Sequence, residues 1–319
     1  MSSPFPLLRL PRLVLCEVFK SLGIGEKIKL SLCSKKISFQ INDARLYSQK
    51  VIVNLDMIKQ EIEVCSENDG DTFDIFICSD FGKTIISSNS QQASIAPTCY
   101  TVRLTSNQEE ITTFWKNNQK EGYLSVIRHL LKMFQCKIST KSNCCNCDSF
   151  QPTISMLLDL QVEFETLYIH FKGSKDENLL WNQISRNLGL VECLIILSSF
   201  DTNFKLVFTS WPQNITIWDC YWFTLESLMA CTSSTITLYY SHLENKDMDK
   251  VLKEWRAGEL PNLKRLIIAS WRFEENGEHI LGMNLLEIDG MVIQTDDGSK
   301  TATIELGQHW IEMSVTPFQ

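Results

Sequence analysis

Between residues 164 and 288 one small unit returns six times: an aliphatic residue, any residue, then a second aliphatic. The copies are Leu167-Tyr-Ile169, Leu194-Ile-Ile196, Ile215-Thr-Ile217, Ile236-Thr-Leu238, Leu266-Ile-Ile268 and Leu286-Glu-Ile288, at steps of 27, 21, 21, 30 and 20 residues. Two aliphatics placed two apart share one face of a β-strand. A strand so short cannot bury that face alone, so it must stack on the copy before and the copy after it.

Helical spacings fill the intervals. Leu179, Leu180, Ile184 and Leu188 form one set; Met248, Val251, Leu252 and Trp255 form another, opened by Asn245 and closed by Gly258 with Pro261 beyond. Strand alternating with helix predicts a mixed α/β fold, an irregular leucine-rich-repeat-like body whose sheet is curved and largely parallel with flanking helices. An ordinary α/β domain with an irregular period is the alternative. Upstream, VIVNL, FDIFIC, TIIS and YTVRL between residues 50 and 110 read as strands. Two helical patterns follow, Ile111 to Trp115 and then Leu124, Ile127, Leu131 and Phe134.

Residues 10 to 46 predict three short helices. Pro11 suits a first turn, Val14, Leu15, Val18, Phe19 and Leu22 make one apolar face, and Gly23 and Gly25 end the first helix by taking positive φ. Ile28, Leu32 and Cys33 resume the period, and Ile37, Ile41 and Leu46 carry a third segment. So small a module leaves apolar residues for a partner.

The string FPLLRLPRLVLCEVFKSLGIGEKIKLSLCSKKISFQI resembles an F-box, with Leu10, Pro11, Leu15, Val18, Phe19, Leu22, Leu32 and Cys33 on its characteristic positions and Ile37 where an aromatic often stands. The segment from Ile215 to Ser270 resembles the F-box-associated domain, type two, of a family expanded in nematodes. Thr224, Leu225, Leu228, Asn245, Lys246, Asp247, Lys253, Trp255, Pro261 and Leu263 occupy its hallmarks. The resemblance implies an F-box at 4–48, a connecting α+β region at 49–150 and an F-box-associated domain at 151–319. It implies that the eight F-box residues dock on a Skp-type adaptor, and through it on a cullin-RING ubiquitin ligase, while the body captures a protein substrate. The chain is then a substrate-recognition subunit and not an enzyme. The alternative is a leucine-rich-repeat-like interaction module outside any ligase.

By two-residue alternation Tyr168 and His170, Thr216 and Trp218, Thr237 and Tyr239, and Glu287 and Asp289 point away from the core. They predict an aromatic stripe with acidic positions at one end. Tyr168, His170, Trp218 and Tyr239 are the candidate substrate contacts, with plain core packing as the alternative.

Charge narrows the partners. Against a net charge of -8 for the chain, residues 1 to 50 hold nine basic and three acidic side chains. No chain-wide basic field exists to attract nucleic acid, whereas a basic N-terminal module fits an acidic adaptor. No uncharged apolar run approaches the ~18 residues of a membrane span. The opening residues lack the continuous apolar centre of a signal peptide, and twelve cysteines without regular spacing suit reduced thiols, so an intracellular protein of the cytoplasm or nucleus is expected. Asn214-Ile215-Thr216 is then a chance sequon.

The sharpest rival chemistry is Cys144-x-x-Cys147, whose bite lets two thiolates share a zinc ion. Cys136, Cys145, His129 and His170 supply no second motif to complete it, and a polar loop gives a redox pair no helix dipole. Gly23-Ile-Gly25-Glu-Lys27 lacks phosphate-loop spacing, and Glu274-Glu275 and Asp296-Asp297 adjoin turns. No cofactor or metal is expected.

Overall fold

The structure is a computed structural model that describes residues 9–33, 35–43, 51–66, 70–79, 90–93, 100–104, 110–115, 119–134, 136–141, 150–171, 175–198 and 206–317. Contacts divide the chain into two compact units, Met1–Asn143 with Cys147–Thr153 and Cys144–Asn146 with Ile154–Gln319.

The first unit opens with three helices, α1 (Arg12–Ser21), α2 (Ile24–Cys33) and α3 (Lys35–Asp43). Leu15 and Phe19 of α1, Ile24, Ile28 and Leu32 of α2, and Ile37 and Ile41 of α3 are buried. Gly23 separates α1 from α2, whereas Gly25 already lies inside α2, and neither takes the positive φ expected of a helix stop. Gly23 serves a close approach instead: a Cβ there would stand 2.9 Å from Asp71 Oδ2.

The same unit contains β1 (Val51–Asp56), β2 (Glu61–Ser66), β3 (Thr72–Ser79), β4 (Ser90–Ala93), β5 (Tyr100–Leu104), β6 (Glu110–Trp115), α4 (Gln119–Met133) and β7 (Lys137–Thr140). Its strands lie in the order β7-β1-β2-β3-β6-β5-β4. The pattern Ile111 to Trp115 is therefore a strand, not a helix. ITTFW is β-branched and aromatic, and pairing parallel to β3 and antiparallel to β5 decides its state over a five-residue periodicity.

The second unit carries α5 (Phe150–Asp159) across the boundary, then β8 (Phe164–Phe171), α6 (Lys175–Ser185), β9 (Val191–Ser198), β10 (Asn214–Trp218), α7 (Leu225–Met229), β11 (Thr235–Leu238), α8 (Asn245–Arg256) and β12 (Arg265–Ala269). β8 to β12 pair in sequence, all parallel. Five of the six tripeptides fall into register: Leu167, Leu194, Ile215, Ile236 and Leu266 form one row, and Ile169, Ile196, Ile217, Leu238 and Ile268 form the next. All ten are buried, and each is worth about 1.5–3 kcal/mol of transfer free energy. Trp255 joins this core from α8, whose N-terminus is closed by Glu244 and Asp247 as a capping box rather than by Asn245.

The sixth tripeptide departs. Leu285–Ile288 is a 3-10 turn in which the Asn284 side chain accepts from the Glu287 amide and the Glu287 carboxylate accepts from the Asn284 amide at 2.8 Å. Reciprocal capping satisfies locally the backbone that a strand would have paired across. The sheet closes instead through β13 (Val292–Gln294), β14 (Lys300–Gly307) and β15 (Trp310–Pro317), with β15 antiparallel to β12.

Candidate functional site

Two surfaces gather the candidate residues, one in each unit. In the first, the expected adaptor-binding set divides. Leu15, Phe19 and Leu32 are buried, so they are core residues of the first unit and are not themselves offered for contact. Leu10, Val18 and Leu22 are half-buried and Pro11 is exposed. Cys33 ends α2; its side chain lies outside the described residues. Sequence spacing missed Leu13, 82% exposed, and Phe39, 70% exposed, and it placed Val14, 46% exposed, on one apolar face with the buried Leu15. Their signal was an excess: α1 places Leu13 and Val14 beside the inward Leu15, more apolar positions than one helical face can bury.

This helical module is tied down within its own unit. The Ile24 amide at the start of α2 donates to Asp71 Oδ2 at 2.9 Å, and Lys29 Nζ lies 5.3 Å from the centroid of the Phe73 ring. The Ser31 hydroxyl donates to the Ile28 carbonyl at 2.7 Å, leaving its lone pairs to the His129 Nε2 of α4 at 2.9 Å. Burial, with Lys132 adding to it, lowers the His129 pKa to about 4, so the ring is neutral at pH 7.

In the second unit, the residues between the buried aliphatics form the other face of the sheet. Tyr168, Ile195, Thr216, Thr237, Ile267 and Glu312 stand in one row; His170, Leu197 and Trp218 stand in the next. Tyr239 follows β11, and its amide donates to the Ile217 carbonyl at 2.8 Å. Tyr168, His170, Trp218 and Tyr239 are half-buried, where the opposite rows are fully buried. Trp218 and Tyr239 stack, ring centroids 4.0 Å apart and 21° between planes. Tyr168 and His170 lie on β8, separated from Trp218 by Ile195 and Leu197 of β9. Glu287 and Asp289 do not join the stripe, because they belong to the 3-10 turn and its end.

Beyond Tyr239 the face opens into a small cavity of about 160 Å³ lined by Tyr239, Tyr240, Ala269, Ser270, Trp271, Gln308 and His309. Trp271 is 63% exposed and Tyr240 50%. The Trp271 and His309 rings are 4.4 Å apart. Tyr240 and His309 hold positive φ at 55° and 67°, a strained conformation for such residues. Arg265 makes a two-pronged contact with Glu312, Nε to Oε1 at 2.7 Å and an Nη to Oε2 at 3.1 Å, which lowers the Glu312 pKa and raises that of Arg265.

Residues 7–49 match the model described as F-box domain, and residues 203–268 match the model described as F-box associated. The chain carries an F-box domain followed by an F-box-associated domain. No curated protein and no solved structure gives a significant match.

The F-box match takes in α1 to α3 whole, and so both the buried Leu15, Phe19 and Leu32 and the exposed Leu13, Val14 and Phe39. The F-box-associated match spans β10 to β12 with α7 and α8, so it includes Trp218, Tyr239 and Tyr240 and stops short of Trp271 and His309. Within it Thr224 caps α7, its hydroxyl accepting from the Ser227 amide at 3.3 Å.

Thiol chemistry gains no support from the described cysteines. Cys16, Cys65, Cys78, Cys136, Cys193, Cys220 and Cys231 are free thiols. Burial pushes Cys136 and Cys220 up to about 12 and raises Cys65, Cys78, Cys193 and Cys231, so these stay protonated and poorly nucleophilic. Cys144, Cys145 and Cys147 lie outside the described residues. Among the described residues no cluster of His, Cys, Asp and Glu could hold a metal ion, and no helix is long and apolar enough to cross a membrane.

Proposed function

We propose that this F-box protein is a non-enzymatic substrate-recognition subunit of a Skp-cullin-F-box ubiquitin ligase, acting in the cytoplasm or nucleus without nucleic acid or membrane. F-box domains typically bind a Skp-type adaptor. In this chain the exposed set of Leu13, Val14 and Phe39, within the matched segment, carries the reading. Exposed aliphatic and aromatic groups on a folded helical module lower their free energy by burial against a partner. The second unit captures a protein substrate. Its five parallel strands in register and half-buried aromatic face support a leucine-rich-repeat-like body that presents one side to a ligand, since parallel sheets are ordinarily covered on both sides. Co-expression of the full chain with a Skp-type adaptor and a cullin tests this: both should co-purify with it. A folded chain that retains neither would favour an interaction protein outside any ligase.

A further inference from the structure

The cavity beyond Tyr239 has a chemistry narrower than that of a general protein-binding face. Four of its seven lining residues present rings, and no lining side chain is an acid or a lysine or arginine. At about 160 Å³ it is well below the roughly 300 Å³ at which drug-sized pockets begin, so its scale is that of one side chain. Its walls are fixed. The buried Ser270 hydroxyl lies 2.9 Å from the Ser241 carbonyl and 2.7 Å from that of Leu243, and the Ser270 amide donates to the His309 carbonyl at 2.8 Å. Trp271, Tyr240 and His309 are thus held at the ends of three different segments of the sheet.

The electrostatic setting favours a cation. Residues 154 to 319 hold 23 acidic and 12 basic side chains. The two arginines nearest in sequence to the lining are neutralised, Arg272 by Glu244 and Arg265 by Glu312. What remains is a ring-lined pocket in a negatively charged unit. Ring faces attract a lysine or arginine head group, and the surrounding charge raises its local concentration.

We infer that the pocket formed by Tyr239, Tyr240, Trp271 and His309 receives one lysine or arginine side chain of a protein substrate, whose flanking residues run over the Trp218–Tyr239 stack. The inference rests on the reading of the second unit as the substrate-capturing part, and it adds a basic residue as the recognised chemistry.

The test uses the full chain and four alanine-based hexapeptides bearing at their centre arginine, lysine, norleucine or a proline pair, titrated by tryptophan fluorescence at physiological salt. The arginine and lysine peptides should bind about five- to thirtyfold more tightly than norleucine, the range expected for a cation over aromatic faces. Trp271→Ala and Tyr240→Ala should each remove that preference at unchanged melting temperature, and Trp271→Phe should keep most of it. Equal or tighter binding of norleucine or proline overturns the inference, as does the absence of saturable binding or an arginine preference that survives Trp271→Ala. Adaptor co-purification, scored on the same preparation, separates the two claims: peptide failure with the adaptor retained removes the pocket assignment alone.

Discussion

Replacing Leu13 and Leu15 separately by alanine distinguishes a docking residue from a core residue two positions away. Leu13 is 82% exposed and Leu15 only 5%. Leu13→Ala therefore removes almost no burial from the free chain, and its effect on folding should stay within about 0.5 kcal/mol, as for ordinary surface sites. If the adaptor covers Leu13, the three lost carbons should weaken binding by about 2 kcal/mol, or roughly thirtyfold in Kd. Leu15→Ala should reverse the pattern. It opens a cavity at a buried position of α1 and should cost ~2–5 kcal/mol of stability, with adaptor binding falling only as the folded fraction falls. Calorimetric titration with the adaptor, paired with thermal melting of each variant, reads both quantities. Unchanged affinity for Leu13→Ala, or wild-type melting for Leu15→Ala, would refute the assignment of inside and outside.

Leu10→Ala with Pro11→Ala should weaken adaptor capture while leaving hydrogen exchange in residues 164–269 unchanged. Asp71→Ala removes the acceptor for the Ile24 amide and should destabilise α2 by about 1 kcal/mol, the usual worth of an N-terminal cap, seen as faster amide exchange at the start of that helix. His129 has a folded pKa near 4 against 6.5 unfolded, so the unfolded chain binds the extra proton between those values. Stability should therefore fall as pH drops from about 6.5 towards 4, and His129→Gln should flatten that part of the pH–melting curve. Trp255→Ala, in a fully buried position, should cost ~3–5 kcal/mol, whereas the half-buried Trp218→Ala should cost clearly less; equal losses would make Trp218 a core residue and remove it from the substrate face.

The parallel core was legible because period-two burial writes itself directly into sequence: Leu167 to Ile268 appear in the chain as the same tripeptides that register places side by side. Leu286-Glu-Ile288 carried the same letters and became a turn, since reciprocal capping by Asn284 and Glu287 is a local competitor that an aliphatic pattern does not reveal. Ile111 to Trp115 failed for the converse reason, with pairing to distant strands overriding a short helical spacing. The F-box pattern located the three-helix module without resolving its faces. Leu15 and Phe19, on the pattern's characteristic positions, are buried, and Leu13 and Phe39, which are exposed, are not part of the pattern. The ring-lined cavity left no local trace, because Tyr240, Trp271 and His309 meet only when β11, β12 and the β14–β15 turn are brought together.

Hydrogen–deuterium exchange of the full chain with and without a Skp-type adaptor tests the central claim most directly. Docking through the F-box while the aromatic face stays free for substrate predicts new protection in residues 10–22 and 35–43. Exchange at 214–218, 235–240 and 269–271 should remain that of the free chain. Protection confined to the second unit, or a folded chain showing none at all, would contradict it.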